Sequence, residues 1–241
     1  MQEHFIHSEK IHQAERGLYI GDLVYGANDG IITTFAVVSG AAGAAFSPGV
    51  IIVLGMANLV ADGISMGLSN YLAIQSRLDY QKSERAREEF EIEQFPDVEA
   101  KEVKDILTGW KIEEPGLSSV LKNIISNKKT WANFMMREEL GIIEDEIKAP
   151  SIHGLITTVA FVVAGFLPLV PYLFGVAVES QFTVSVTATA ISLFVVGSVR
   201  TFVTGANWFK SGIQMLLVGG LAALSAYLVG NIVKNIFGII V

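Results

Sequence analysis

The sequence predicts an all-α membrane protein, with five transmembrane helices and a cytosolic three-helix insert between spans two and three. Three observations predict it. About half of the 241 residues are hydrophobic (51%) and only 17% are charged, against roughly 25% in an ordinary soluble domain. The charge is concentrated: residues 77–150 hold 12 of the 17 lysines and arginines and 17 of the 24 aspartates and glutamates. Outside that segment lie five apolar stretches, each near the ~20 residues that a helix needs to cross a bilayer. The chain therefore divides into 1–76 (tail and spans one and two), 77–150 (the charged insert) and 151–241 (spans three to five).

The elements follow in order. Span one runs from about Leu23 to Phe46 with one charge, Asp29. It follows a mixed-charge segment and is too long for the apolar core of a cleaved signal. Span two runs from about Val50 to Gln75, again with one charge, Asp62. In the insert, Ser83 to Gln94 is dense in glutamate and arginine and reads as a helix. Pro96 breaks it, because proline cannot continue a helix. Asp97 to Leu107 is a second helix, residues 110–116 a turn, and Leu117 to about Lys148 a third helical region interrupted near Ser126-Asn127. Spans three, four and five follow at about Ile152–Phe174, Val184–Ala206 and Gly212–Val233.

Basic residues set the orientation. Lys10 and Arg16 precede span one, the insert is rich in both types, and Arg200 and Lys210 flank the link after span four. The opposite links, 43–49 and 175–183, have neither. The N-terminus and insert are expected in the cytosol, and the C-terminus on the extracytoplasmic side. Gly26/Gly30 and Gly63/Gly67 are G-x-x-x-G pairs, which let helix backbones approach closely in lipid. They suit either tight packing within one bundle or a dimer face.

A carboxylate at bilayer depth costs about 2.5–3.5 kcal/mol on insertion scales, so Asp29 and Asp62 need a reason. Asn58, Asp62 and Met66 recur at four-residue spacing and share one helix face, which Ser69 and Asn70 extend. Oxygen donors beside a thioether suit a divalent transition metal, and a buried carboxylate can exchange a proton for a cation. The plainer reading is a polar pair that pins two helices. In the insert, Glu88/Glu91 and Glu99/Glu102 are two pairs at three-residue spacing, which the Phe95-Pro96 turn can bring face to face. Met135, Met136 and Glu139 share a face of the third region. Together these supply oxygen and sulfur ligands for a multi-ion cluster; the plainer reading is a set of solvated helix faces. Glu84, Glu89 and Glu93 read as surface charges, His4, His7 and His12 as a polar tail, and His153 as an interfacial residue.

Several classes are excluded. No cysteine is present, so disulfides, thiolate zinc and iron–sulfur ligation are out. The net charge of −7 argues against nucleic acid as a partner. No G-x-x-x-x-G-K-S/T loop occurs, and the insert has no Glu-x-x-His motif, so neither an NTPase nor a ferritin-type oxidase is supported, and no enzyme is expected.

At this point the chain resembles the vacuolar iron transporter family. The resemblance covers nearly all of it: the five spans, the long insert after span two, Asn28-Asp29-Gly30, Ser65-Met66-Gly67, the carboxylate ladder and the Met-Met-x-x-Glu motif. It implies a homodimer in the lipid bilayer that exports ferrous iron from the cytosol in exchange for protons. Asp29 and Met66 match the family's translocation residues, and Asn58 and Asp62 line the same pathway. Glu88, Glu91, Glu99, Glu102, Met135, Met136 and Glu139 match its metal-binding insert. One departure stands out: the family's second-span glutamate, one or two turns before the methionine, is matched here by Asn58 and Asp62. Manganese is a second candidate substrate, and Mn²⁺, Zn²⁺ and Co²⁺ all suit the insert's donor set. The membrane is the plasma membrane in a prokaryote and a vacuole-like membrane in a eukaryote. The alternative function is a membrane-anchored metal store or sensor that does not transport.

Overall fold

The computed structural model describes residues 14–143, 149–201 and 205–238, and among them no strand occurs. The histidines His4, His7 and His12, the end of the third insert region at 144–148 and part of the fourth apolar stretch at 202–204 lie outside the described residues. In chain order the helices are α1 (Ala14–Gly43), α2 (Pro48–Gln94), α3 (Pro96–Gly109), α4 (Gly116–Ile125), α5 (Lys128–Glu138), α6 (Pro150–Gly165), α7 (Val170–Leu173), α8 (Val178–Val199) and α9 (Trp208–Phe237). The chain divides into two compact units, Met1–Tyr71 with Ala149–Val241, and Leu72–Lys148. Helix α2 supplies residues to both.

In the first unit, α1 packs on α6, α8 and α9. Lipid offers little hydrophobic force between helices, so close contact must do the work, and glycine makes it possible. A Cβ on Gly26 or Gly30 would collide with the α6 backbone at Thr157 and Phe161. One on Gly63 or Gly67 would collide with Val162 or with Thr158, also on α6. Both G-x-x-x-G pairs are therefore spent on the same helix within the chain, and the dimer-face alternative for them falls. Gly230 of α9 meets the Gly40 carbonyl in the same way. Between these seams sits a core of Phe35, Val38, Leu59, Phe161 and Leu169, with Met66 packed at its edge.

Two boundaries depart from expectation. The third apolar stretch is not one continuous helix: α6 ends at Gly165, Leu167–Leu169 form a 3₁₀ turn, and α7 adds one turn. Pro168 and Pro171 explain the break, since each lacks the N–H that an α-helix needs. The first insert helix is not separate but the end of α2, which runs unbroken from Pro48 to Gln94. Four described helices are long and apolar enough to cross a membrane: α2, the α6–α7 segment, α8 and α9. Helix α1 has the length, 30 residues, but carries Asp22, Asn28 and Asp29.

The second unit is built from the end of α2 with α3, α4 and α5, four helical segments where the sequence suggests three. The expected interruption at Ser126-Asn127 is real: Asn127 caps α5, its side-chain oxygen accepting from the Thr130 N–H at 3.0 Å. Ile92, Val103, Leu107, Leu117, Trp131, Ala132 and Met135 form the core. Arg85 donates to Asn133 at 2.7 Å, and Lys128 pairs with Glu93, so α2 and α5 are also joined by polar contacts. Each of these exposed links contributes less than about 1 kcal/mol, which leaves the apolar core as the main fastening.

Candidate functional site

The insert's carboxylates are selected by helix face. Gln81, Glu88 and Ile92 fall on the buried face of α2. Glu99, Val103 and Leu107 are the buried residues of α3, at four-residue spacing. Glu88 and Glu99 thus occupy positions where the pattern calls for apolar side chains, and they are only 4% and 6% exposed. Glu139, just past the end of α5, is the third member. Carboxylate oxygens of Glu88, Glu99 and Glu139 lie within 4.8 Å of one another. Ligands on opposite sides of a small divalent cation stand about 4.2 Å apart, given metal–oxygen bonds of about 2.1 Å, so a modest side-chain adjustment would let all three reach one ion.

Electrostatics mark the same spot. Burial first, and then Glu139, Glu99, Glu91 and Glu102, push the Glu88 carboxyl up to about 7. Burial first, and then Glu102, Glu139 and Glu91, push Glu99 up to about 7. Glu139 is raised as well, by burial and then by Glu102 and Glu91. All five glutamates picked out in the sequence therefore share one field. Glu91 and Glu102, half-buried, form its flank, and Glu91 accepts from Arg87 at 3.1 Å. One oxygen of Glu88 is buried with no partner in the protein, which is costly unless a proton or cation meets it. The methionines divide. Met135 is wholly buried and belongs to the apolar core with Val103 and Trp131. Met136, 1% exposed, lies outside that cluster of contacts. Glu89 pairs with Arg85 and Glu93 with Lys128, as plain surface charges do.

The membrane unit has a second polar set. Asp29, Asn58, Asp62 and Met66 are all half-buried, and the Asp29 and Asp62 carboxylates are near enough to repel each other. Beside them the side-chain oxygen of Asn28 and the side-chain nitrogen of Asn58 are buried without a partner. Thr33, one turn after Asp29, bonds that residue's backbone carbonyl at 2.8 Å and leaves its carboxylate free of it. Asn70, the next residue on the α2 stripe, reaches Asp22 of α1. Sequence reasoning missed Asp22 and did not foresee that His153 packs between helices. His153 is 4% exposed, its Nδ1 lies 2.5 Å from Asp22 Oδ2, and Tyr19 stacks on its ring. The available signal was the spacing of Asp22 and Asp29: seven residues are nearly two full turns, so both share one face of α1.

Residues 20–231 match the VIT family. The chain belongs to that family. A vacuolar iron transporter of Centaurea cyanus is 32% identical over 226 residues, covering 94% of this chain and 92% of its own. Vacuolar iron transporter 2 of Oryza sativa subsp. japonica is 34% identical over 230 residues, 95% of this chain and 93% of its own. The vacuolar iron transporter of Plasmodium berghei is 34% identical, across 90% and 83%. Members of the VIT family are transporters and not enzymes, so this chain is an integral membrane protein of a transport family.

Proposed function

We propose that this VIT family member carries ferrous iron out of the cytosol across a membrane, in exchange for protons, with manganese as a second substrate. The observation that carries the reading is the meeting of Glu88, Glu99 and Glu139 from separate parts of the insert, two of them buried. Relatives of nearly the same length are named iron transporters. Carboxylates held near neutrality release protons when a divalent cation binds, so the insert collects metal and gives up protons at cytosolic pH. Asp29 and Asp62 then take the ion within the membrane, with Asn58 and Met66 completing the path. An acid–thioether donor set suits ferrous and manganous ions. Protons returning down their gradient reset the aspartates.

The same reading makes α1 the fifth span. At about 1.5 Å per residue its 30 residues reach about 45 Å, beyond the ~30 Å hydrocarbon core. Asp22 is bonded by Asn70 of α2 and His153 of α6, which suits a charge that must avoid lipid. The distribution of basic residues supports a cytosolic N-terminus and insert. Two copies form the transporter, in the plasma membrane of a prokaryote or a vacuole-like membrane of a eukaryote.

Reconstitution tests the whole scheme. Proteoliposomes holding a metal-quenched dye are given Fe²⁺ with and without an imposed pH gradient. Wild type is expected to quench the dye at a rate set by the gradient, and Asp29→Ala to lose both uptake and gradient response. Iron binding with no uptake under either gradient would instead indicate a membrane-anchored store or sensor.

A further inference from the structure

We propose that Asp22, Asn70, His153 and Thr157 form a gate that closes the polar seam between α1 and α2, at the end where α1 and α6 begin. This inference rests on the transport reading. Asp22 lies two turns before Asp29 on the same face of α1, and Asn70 one turn beyond Met66 on the Asn58–Asp62–Met66 stripe of α2. The two residues therefore terminate the two stripes, and they meet: Asn70 Nδ2 donates to Asp22 Oδ1 at 2.8 Å. The same amide donates to Thr157 Oγ1 at 2.8 Å. His153 Nδ1 holds the other Asp22 oxygen at 2.5 Å, under the stacked ring of Tyr19. Thr157 closes the set by donating to the His153 carbonyl at 2.9 Å.

The contrast along the seam argues for a gate. Next to Asp29, the Asn28 side-chain oxygen is buried with no protein partner, a free acceptor that a cation can take. At the mouth, both Asp22 oxygens, the Asn70 amide and the Thr157 hydroxyl are engaged by one another or by the backbone, across three helices. A cation entering between Asp22 and Asn70 must replace those bonds with its own ligation, so its arrival and the opening of the mouth are one event. Fastening alone does not call for such a set, because Gly26, Gly30, Gly63 and Gly67 already hold α1 and α2 against α6.

The cysteine-free sequence provides a clean test on the full-length protein in lipid nanodiscs. A single Met66→Cys reporter is labelled with a small, charged thiol reagent. Labelling is expected to be slow with the four residues intact. It should become roughly tenfold faster when Asn70→Ala or His153→Gln is added, the scale of losing a charge-assisted hydrogen bond from the closed state. Equal rates overturn the proposal and leave a structural clip. A second arm keeps Asp22 and His153: Asn70→Cys with Thr157→Cys is oxidised and reduced in the same proteoliposomes. The oxidised form should stop Fe²⁺ uptake and a reductant restore it; uptake unaffected by oxidation also overturns the gate. If wild type moves no iron at all, the transport reading fails by itself, and the labelling rates still decide whether the mouth opens.

Discussion

Glu88 carries two loads at once. It sits on the core-facing side of α2, where an apolar residue would pack better, and it has an unpartnered buried oxygen. With its carboxyl and that of Glu99 pushed up to about 7, the folded insert holds protons that the unfolded chain releases near pH 4.5. Stability contributed by this site is therefore highest below about pH 4.5 and is lost as pH rises through about 7, opposite to the usual carboxylate trend. In metal-free protein at pH 8, Glu88→Gln should raise insert stability by on the order of 1–2 kcal/mol, a shift of a few degrees in melting temperature. The same variant should lose most of the stabilisation that added Mn²⁺ gives to wild type. A melting series at pH 5 and pH 8, with and without metal, checks both; a variant destabilised equally at both pH values would contradict the assignment. Metal affinity itself should fall as pH drops below about 7, because protons compete for the same oxygens, and calorimetric titration across that range measures it.

Helices in this chain are joined by absence of side chain as much as by side chains. Alanine ordinarily stabilises a helix by about 1 kcal/mol relative to glycine. At Gly30 the added methyl would strike the Phe161 carbonyl, and at Gly230 the Gly40 carbonyl. Gly30→Ala and Gly230→Ala should therefore each destabilise, by roughly 1–3 kcal/mol for an overpacked contact. Gly220, whose Cβ would meet nothing within 4 Å, is the control and should tolerate alanine. Thermal unfolding in one detergent compares the three. The glycine pairs were visible in the sequence, but their partner was not: periodicity assigns a face to a helix and leaves open which neighbour it meets. The prolines show the reverse case. Pro96 ends α2 as expected, while Pro168 and Pro171 break a stretch whose composition alone reads as one span.

Across the whole molecule the prediction concerns coupling. On the exchange scheme proposed above, neutralising Asp29 or Asp62 removes a cation site and a proton site together. Asp62→Asn should cut Fe²⁺ uptake at least tenfold, the scale expected from losing one charge-assisted ligand at about 1.5–3 kcal/mol, and should flatten its response to an imposed pH gradient. The metal-induced melting shift of the insert should survive, since its ligands all lie in the other unit. Loss of that shift along with uptake would mean the variant is damaged as a whole. Asn58 stands where the resemblance leads one to expect an acid, so on this scheme either Asp62 takes over that role or the coupling differs.

The sequence by itself determined the class of the molecule, because length, apolarity and charge segregation act without regard to which residues later touch. It also pointed to Glu88, Glu91, Glu99, Glu102 and Glu139, since three- and four-residue spacings are properties of a helix alone. Tertiary structure decided the rest. Only the packing of α2, α3 and α5 separates buried Glu88 and Glu99 from half-buried Glu91 and Glu102, and sends Met135 into the apolar core. Only the meeting of α1, α2 and α6 turns Asp22, Asn70 and His153, spread over more than 130 positions, into one closed network. Contacts between residues far apart in sequence leave no periodic trace in it, and hydrogen bonding across helices is fixed by which faces the fold brings together.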